Sequence, residues 1–405
     1  MREAFFSRRD TRVNALIGTG HFLSHFYALC LPPVFIAWQR AFGVSYAELG
    51  LSVALMAAST ALAQTPVGIL VDRYGARPFL VGGALLMALS ITAMGLATHY
   101  WQIVALALLS GIGNSVIHPA DYAILSGSIG RERLGRSFAF HTFVGYIGFA
   151  AAPPATAGLM LLVGWRESLV LIGLLGIPVV ALILWQSAIL VEEAHEPKAR
   201  EKKSLGGAGL LLTRPILCLC GFFMVSAMAT AGIQSWLITI LHKAHGMTLA
   251  AASSALTFYL VGSLCGILAG GWVADRSTRH FAYVALLTCG GAALLFLVGL
   301  GPLAAAATVG ALAGAGILIG TSRTPRDMMV KEAAPPGEVG KVFGFVSAGL
   351  SLGSAIMPVP YGFLIDSGHP NLVIVCVAGL LLTSLLFAAG ARAGARREAA
   401  PAPAE

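Results

Sequence analysis

Residues 79–97 read FLVGGALLMALSITAMGLA and contain no Asp, Glu, Lys or Arg. Uncharged stretches of similar length also occupy residues 281–306 and 372–391. About 20 apolar residues suffice to cross a bilayer as an α-helix. A membrane-spanning β-barrel would instead show alternating segments of about 10 residues, and the sequence lacks that alternation. The chain is therefore predicted to be an all-α membrane protein.

The composition supports this class and argues against a soluble protein. Of the 405 residues, 57% are hydrophobic and 11% are charged, whereas soluble domains carry about 25% charged residues. The net charge of +8 is explained by membrane topology, and we predict no nucleic-acid partner. All six cysteines lie in apolar stretches without a C-x-x-C pair, so no disulfide, metal site or cofactor is predicted.

Hydropathy predicts about twelve membrane spans with both termini in the cytoplasm. Arg40, Arg166 and Lys243 fall near the outer ends of the spans, and the other 23 of the 26 basic residues lie on the opposite side. The positive-inside rule assigns that basic side to the cytoplasm. The predicted spans are residues 13–38, 46–69, 79–98, 101–126, 137–162, 167–189, 215–241, 249–272, 280–300, 303–328, 341–364 and 370–390.

The spans form two similar halves. Gly68-x3-Asp72-Arg73 recurs as Gly271-x3-Asp275-Arg276, 203 residues later, and Pro119-x-Asp121 recurs as Pro325-x-Asp327 after 206. This repeat predicts two pseudo-symmetric six-helix bundles with a substrate path between them. The predicted domains are an N-terminal half at 1–190, a charged cytoplasmic linker at 191–210, a C-terminal half at 211–391 and a disordered cytoplasmic tail at 392–405.

The loop after the second span carries a recognisable motif. Residues 68–77 read GILVDRYGAR and resemble the G-x-L-(small)-D-R-x-G-R-R signature of the major facilitator superfamily. Val71 replaces the small residue and Ala76 replaces one basic residue. Gly164-Trp165-Arg166 is also typical of that superfamily. The resemblance covers nearly the whole chain and implies the major facilitator fold.

Other short motifs bear on the subfamily. Gln64-x-Pro66-x-Gly68, Gly20-His21-Phe22 and His118-Pro119 resemble the fosmidomycin-resistance-like branch. The fourth span lacks the arginine expected one turn before Gly111. The fifth span reads GYIGFAAAPP over residues 145–154 instead of the antiporter pattern G-x-x-x-G-P-x-x-G-G. These differences weaken an assignment as a drug/proton antiporter.

The loop motif predicts a gate. A carboxylate at a helix C-terminus opposes the helix dipole and needs a partner. The resemblance implies that Asp72 engages nearby basic residues and the backbone around 340–341, with Asp275 acting equivalently near Gly135. The alternative is a short loop solvated by its own charges. The predicted gate residues are Asp72, Arg73, Arg77, Asp121, Arg136, Asp275, Arg276, Arg279, Arg326, Asp327 and Lys341.

Polar side chains inside the spans predict the substrate or proton pathway. Ionisable residues are expensive in lipid and usually line a cavity, and the resemblance implies that spans one, four, seven and ten line the path. At 1.5 Å per residue, His25 lies about 20 Å into its span, near the bilayer midplane. The pathway candidates are His21, His25, Asn114, His118, His141, Thr230, Gln234 and Arg323.

Several of these side chains have structural alternatives. His25 could be a neutral histidine bonded to a backbone carbonyl. Arg323 could attract an anion, sit at a helix C-terminus or pair with Asp327 four residues on. Asp121 and Asp327 lie about 30 Å from the outer ends of their spans, so we assign them to gating or ion pairing and not to substrate binding.

The sequence therefore predicts a secondary active transporter in the cytoplasmic membrane, acting as a monomer by alternating access. It has no G-x-x-x-x-G-K-(S/T) loop, so an ion gradient, most simply protons, would drive transport of a small organic solute, with an anion favoured. The main alternative is efflux of drugs or toxic compounds. Less favoured alternatives are a membrane enzyme acting on lipid-linked substrates, for which no acidic cluster stands out, and a signalling protein that kept the fold but lost transport.

Overall fold

The computed structural model describes residues 7–191, 209–301, 303–335 and 338–398, and within these ranges it contains helices and no strand. The first eight α-helices are α1 Arg8–Leu29, α2 Phe35–Phe42, α3 Tyr46–Tyr74, α4 Ala76–Gly95, α5 Tyr100–Ser115, α6 Ile117–Ser128, α7 Arg131–Leu174 and α8 Gly176–Trp185. The remaining seven are α9 Arg214–Ala244, α10 Leu249–Arg276, α11 His280–Gly299, α12 Ala305–Ala333, α13 Val339–Ile356, α14 Pro358–Asp366 and α15 Pro370–Glu398.

The helices account for the predicted membrane spans. Eleven stretches of the described chain are long and apolar enough to cross a membrane. The longest, Glu132–Trp185, contains 54 residues; it holds the predicted span 137–162 and all but the last four residues of the predicted span 167–189. Gly164 interrupts it with φ 82° and ψ 173°, values that are not helical. The observed architecture thus agrees with about twelve spans.

Local sequence determines where several helices begin and end. Ser7 and Ser45 each form a capping box with an acidic residue three positions later, which satisfies amide groups that have no partner inside the helix. Prolines 32 and 33 lack an amide hydrogen and interrupt the first span. There α1 ends at Leu29, a 3-10 turn covers Pro32–Val34, and α2 continues to Phe42.

The chain divides into two compact units, Met1–Lys198 with Thr248–Thr257, and Ala199–Met247 with Phe258–Glu405. In the first unit, α1 packs along α7, and α4 packs against both α5 and α7. Asp10 pairs with Arg133 at 3.1 Å, and the Asn14 amide donates to the Ser137 hydroxyl at 3.0 Å. Because both partners advance in the same direction along the sequence, α1 and α7 run parallel.

The second unit is centred on α9, which packs against α13 and α15. Trp236 is fully buried, and its indole nitrogen donates to the carbonyl of Pro358 at 3.0 Å. The Tyr361 hydroxyl donates to the carbonyl of Met228 at 3.2 Å. These bonds satisfy the polar ends of two large buried rings, so the rings add apolar contact without an unpaired polar group.

Two predicted segments fall partly outside the described residues. Of the predicted linker, residues 192–208 lie outside them. The last helix, α15, runs to Glu398, beyond the predicted end of the span at 390, so the predicted tail at 392–405 begins inside a helix. Alanine and arginine, which dominate residues 391–398, are both strong helix formers. Residues 399–405 lie outside the described part of the chain.

Candidate functional site

Four histidines from three helices meet inside the first unit. His21 and His25 lie one turn apart on α1, His118 lies on α6, and His141 lies on α7. Residues four positions apart share one face of a helix, which explains why both α1 imidazoles point to the same place. We call these four residues the histidine cluster.

The rings of the histidine cluster are in direct contact. His21 stacks on His141 with centroids 3.6 Å apart and planes 9° apart. The centroid of His21 lies 4.3 Å from that of His25 and 5.1 Å from that of His118. His21 and His141 are 2% and 1% exposed, so these rings interact with one another and not with bulk water.

Two hydrogen bonds fix how the cluster is oriented. The Nε2 atom of His141 lies 2.8 Å from Oδ2 of Asp121, a carboxylate on α6 with no exposed surface. The Nδ1 atom of His21 lies 2.8 Å from the carbonyl oxygen of His141. A carbonyl oxygen can only accept, so His21 carries a proton on Nδ1 in this contact.

A glycine on α7 makes room for the α1 imidazoles. A Cβ atom added at Gly145 would lie 2.5 Å from Cε1 and 2.7 Å from Nδ1 of His21, and 3.1 Å from Cε1 of His25. Real Cβ atoms do not approach other atoms as closely as the first two distances. The close approach of α7 to the histidine cluster therefore requires glycine at this position.

The histidine cluster begins at the middle of the first span. Within the membrane stretch Arg8–Phe42, His25 lies 17 residues from either end. His21, one turn earlier, is closer to the predicted cytoplasmic side, and Asp121 lies seven residues before the end of Tyr100–Ser128. The site therefore extends from the middle of the membrane toward the predicted cytoplasmic side.

The chain matches the Major Facilitator Superfamily over residues 17–325 and again over 224–405. The chain belongs to the Major Facilitator Superfamily. It is a multi-pass membrane protein of a transporter family and not an enzyme, as the sequence predicted. The resemblance to the fosmidomycin-resistance-like branch stays a prediction.

Individual relatives have different activities. A probable L-galactonate transporter of Escherichia coli is 28% identical over 177 residues, 42% of this chain and 39% of that protein. The chain thus matches less than half the length of this relative. The multidrug resistance protein MdtH of Aeromonas hydrophila is 27% identical over 329 residues, 79% of this chain and 80% of that protein.

A solved structure shares the whole fold. It is a bacterial homologue of the human lysosomal transporter Spinster, in an inward-facing and occupied conformation. The TM-score is 0.77 and the sequence identity 14%, with 98% of this chain and 100% of that chain covered. At this identity the likeness shows the fold alone, and the fold it shows is the predicted major facilitator fold.

The other predicted pathway residues are distributed over both units. Asn114 on α5 donates weakly to the Thr60 hydroxyl at 3.5 Å. In the second unit, the Thr230 hydroxyl donates to the carbonyl of Ser226 at 3.0 Å, while Gln234 on α9 and Arg323 on α12 are half-buried. Their roles in substrate binding stay predictions.

Two of the predicted gate residues, Arg326 and Asp327, form an ion pair with each other. Arg326 binds Asp327 at 2.9 Å, and its guanidinium also lies 4.0 Å from the ring centre of Phe223. Asp72 and Asp275 occupy matching places near the ends of α3 and α10 and are exposed. The predicted partners of Asp72 include Arg73 and Arg77 in the same loop motif as well as the backbone around 340–341, and the gate stays a prediction.

Sequence reasoning separated two groups that the structure joins. It assigned Asp121 to gating or ion pairing from its depth near the cytoplasmic face, and the structure bonds Asp121 to His141 within the site. The three-residue spacing from His118 to Asp121 places both on one face of α6, but the sequence did not indicate that His141 lies opposite them. Gly145 was noted only as part of a motif, and nothing in the sequence indicated which side chains it faces.

Proposed function

We propose that this superfamily member is a secondary active transporter that moves a small organic anion across the cytoplasmic membrane by alternating access. The observation that carries the proposal is the histidine cluster with Asp121, buried among membrane helices of a transporter fold. Ionisable groups at such depth are unfavourable unless function requires them. Packing alone would be achieved by apolar side chains of similar size.

An anionic substrate is supported by two arginines on α12. Arg323 and Arg326 are both half-buried, and a guanidinium binds carboxylates in a planar, two-pronged geometry. The relative described as a probable L-galactonate transporter points to the same chemical class, because a galactonate is a sugar carboxylate. We therefore place small carboxylates first among candidate substrates.

Protons are the proposed coupling ion. The sequence contains no G-x-x-x-x-G-K-(S/T) loop, so ATP hydrolysis is not indicated, and a gradient is the proposed driving force. Histidine and aspartate side chains exchange protons with their surroundings, and the first unit holds five of them in contact. In this account, the cluster passes protons while the two halves of the chain alternate in opening to either side of the membrane.

Ligand-induced stabilisation tests the substrate class. We would record the melting temperature of the purified protein with carboxylates, phosphonates, sugars and drugs at two pH values. A ligand that binds the folded state raises the transition by mass action. We expect a concentration-dependent rise with one carboxylate that disappears in Arg323→Ala and weakens in His25→Ala.

Two exposed residues provide matched controls for this experiment. Arg40→Ala and His369→Ala remove the same side-chain types from exposed positions and should leave the ligand response unchanged. A carboxylate response that survives Arg323→Ala in full would exclude this arginine from binding and remove the main support for an anionic substrate.

Efflux of lipophilic compounds is the second candidate function. It is favoured by the likeness to a multidrug resistance protein over 79% of this chain. Under this alternative, lipophilic drugs raise the melting temperature, carboxylates do not, and Arg323→Ala has no effect on the response. The same panel therefore separates the two candidates.

A further inference from the structure

The histidine cluster contains nitrogen atoms that no hydrogen bond satisfies. Four buried ring nitrogens have no hydrogen-bond partner among the described residues: Nε2 of His21 and Nδ1 of His25, His118 and His141. Buried polar atoms are paired in the great majority of cases. Four unpaired ring nitrogens in one place therefore point to a ligand.

Three of these histidines, His21, His118 and His141, converge. Each offers one ring nitrogen, and the three atoms lie within 4.8 Å of one another. For three atoms that are at most 4.8 Å apart, some point lies within about 2.8 Å of each atom, because the largest such triangle is equilateral and its centre lies 4.8 Å divided by √3 from each corner. Zn–N bonds are shorter, at about 2.0–2.1 Å. Shifts of less than about 1 Å would bring the nitrogens to bonding distance. Because His21 and His141 are stacked with planes 9° apart, one of these rings must also rotate so that both lone pairs face the ion.

The outer nitrogens of two rings are held by oxygen atoms. His141 donates from Nε2 to the Asp121 carboxylate, and His21 donates from Nδ1 to a backbone carbonyl. In a neutral imidazole, the other nitrogen then presents a lone pair. Carboxylate and carbonyl acceptors of this kind typically fix the tautomer and orientation of metal-binding histidines.

We propose that His21, His118 and His141 bind a divalent first-row transition-metal ion of the Zn²⁺ class, with Asp121 orienting His141. Neutral imidazoles suit zinc, copper, iron and nickel, whereas magnesium and calcium require oxygen ligands. A tetrahedral ion would keep a fourth position beyond these three ligands. His25 is the remaining imidazole of the cluster, with its ring centroid 4.3 Å from that of His21. The sequence alone predicted no metal site.

The inference goes beyond the proposed transport of an organic anion. Imidazole must be deprotonated to bind a metal, so the ion and protons compete for the same nitrogens. The ion would then act on the coupling site of the transporter, either as an inhibitor or as a transported species. Metal binding itself requires no organic substrate and can be measured without one.

The direct test uses Zn²⁺ with the full chain, purified without a polyhistidine tag and stripped with a chelator. We expect calorimetry to give one ion per chain. X-ray absorption at the zinc edge should show nitrogen at about 2.0–2.1 Å with the scattering pattern of imidazole rings. This second measurement uses the unmodified protein and does not depend on whether any variant folds.

Variants then locate the site. His118→Ala and His141→Ala should abolish the stoichiometric binding, and Asp121→Asn should weaken it about 10- to 100-fold, as loss of an outer-shell partner typically does. His280→Ala is the matched control, since His280 also bonds a carboxylate, Glu332, at 2.7 Å but lies in the second unit. It should bind one ion as the unmodified protein does.

Three results would overturn the proposal. They are the absence of a stoichiometric Zn²⁺ ion, a zinc environment dominated by oxygen or sulfur, and unchanged binding in both His118→Ala and His141→Ala. None of them bears on the thermal response to carboxylates, which is measured without metal. Failure of the metal site and failure of the proposed transport function are therefore distinguishable.

Discussion

The hydrogen bond between His141 and Asp121 joins α7 to α6 where neither partner is accessible to water. An imidazole always carries at least one N–H group, and a buried N–H group without an acceptor is unfavourable. Asp121 therefore determines both the orientation of His141 and the atom from which it donates. The remaining imidazoles pack on a ring that is already fixed.

Two substitutions at Asp121 separate its hydrogen-bonding role from its charge. Asp121→Asn keeps an oxygen acceptor for His141, whereas Asp121→Leu leaves the N–H group unpaired. We expect the leucine variant to be less stable than the asparagine variant by about 1–3 kcal/mol. Unfolding in mixed micelles with increasing SDS measures this difference, and equal stability of the two variants would show that the bond contributes nothing.

Gly145 permits the approach of α7 to His21 and His25. In Gly145→Ala the new methyl group would lie 2.5 Å from Cε1 of His21, and such overpacking destabilises by about 1–3 kcal/mol. A loss of unfolding free energy of this size is expected in the same SDS titration.

Gly158 provides the control on the same helix. A Cβ atom there would meet nothing within 4 Å, so Gly158→Ala should be neutral or slightly stabilising, because alanine favours helix over glycine. A similar loss in both variants would mean that glycine at 145 is not needed for packing against the histidines.

The sequence identified each member of the histidine cluster but not the cluster. Each histidine stood out as an ionisable group in an apolar span, and this depends only on composition. Which histidines touch depends on how α1, α6 and α7 pack, and hydropathy carries no information on helix rotation. Depth along the span likewise assigned Asp121 and His25 to different groups, because depth does not show which side chains meet when helices pack.

At the scale of helices, the break at Gly164 divides α7 into two spans. The residue adopts φ 82°, a region that side chains with a Cβ atom rarely enter. Beyond the break, Arg166 donates to the carbonyls of Gly95 and Ala97 at 3.3 and 2.5 Å. Gly95 is the last residue of α4, and Ala97 follows it by two residues. The motif Gly164-Trp165-Arg166 thus turns the chain and anchors it to a neighbouring helix.

Substitution of Gly164 should be costly because of backbone strain. In Gly164→Ala, the conformation with ψ 173° is nearly exclusive to glycine, and we expect a loss of about 1–3 kcal/mol. Gly43→Asn is the comparison, since Gly43 has φ 66° and ψ 27°, a left-handed conformation that asparagine tolerates. Comparable losses in the two SDS titrations would contradict this explanation.

Helix boundaries are well defined where a local signal exists. The prolines at 32 and 33 interrupt the first span, and the serines at 7 and 45 form capping boxes that fix two helix starts. Hydropathy alone placed the start of the first span at residue 13, five residues after α1 begins. The end of α15 lacked such a signal. Alanine and arginine continue that helix to Glu398, although the residues after 390 are no longer apolar enough to predict a span.

At the scale of the whole molecule, the internal repeat and the loop motif predicted the fold, and the family match confirms it. Motifs of this kind preserve the architecture that all members share. These motifs do not predict the substrate, because substrate specificity depends on a small number of side chains facing the pathway. Arg323 and His25 are the candidates by position.

The most direct measurement is solute flux in proteoliposomes with an imposed proton gradient. We predict that one small carboxylate accumulates above protein-free liposomes for one sign of the gradient, and that a protonophore abolishes this accumulation. His25→Ala and Arg323→Ala should lower the rate about tenfold or more, equivalent to at least about 1.4 kcal/mol of lost stabilisation, while His369→Ala transports normally. Absence of gradient-driven flux for every carboxylate, or flux that neither variant changes, would contradict the account.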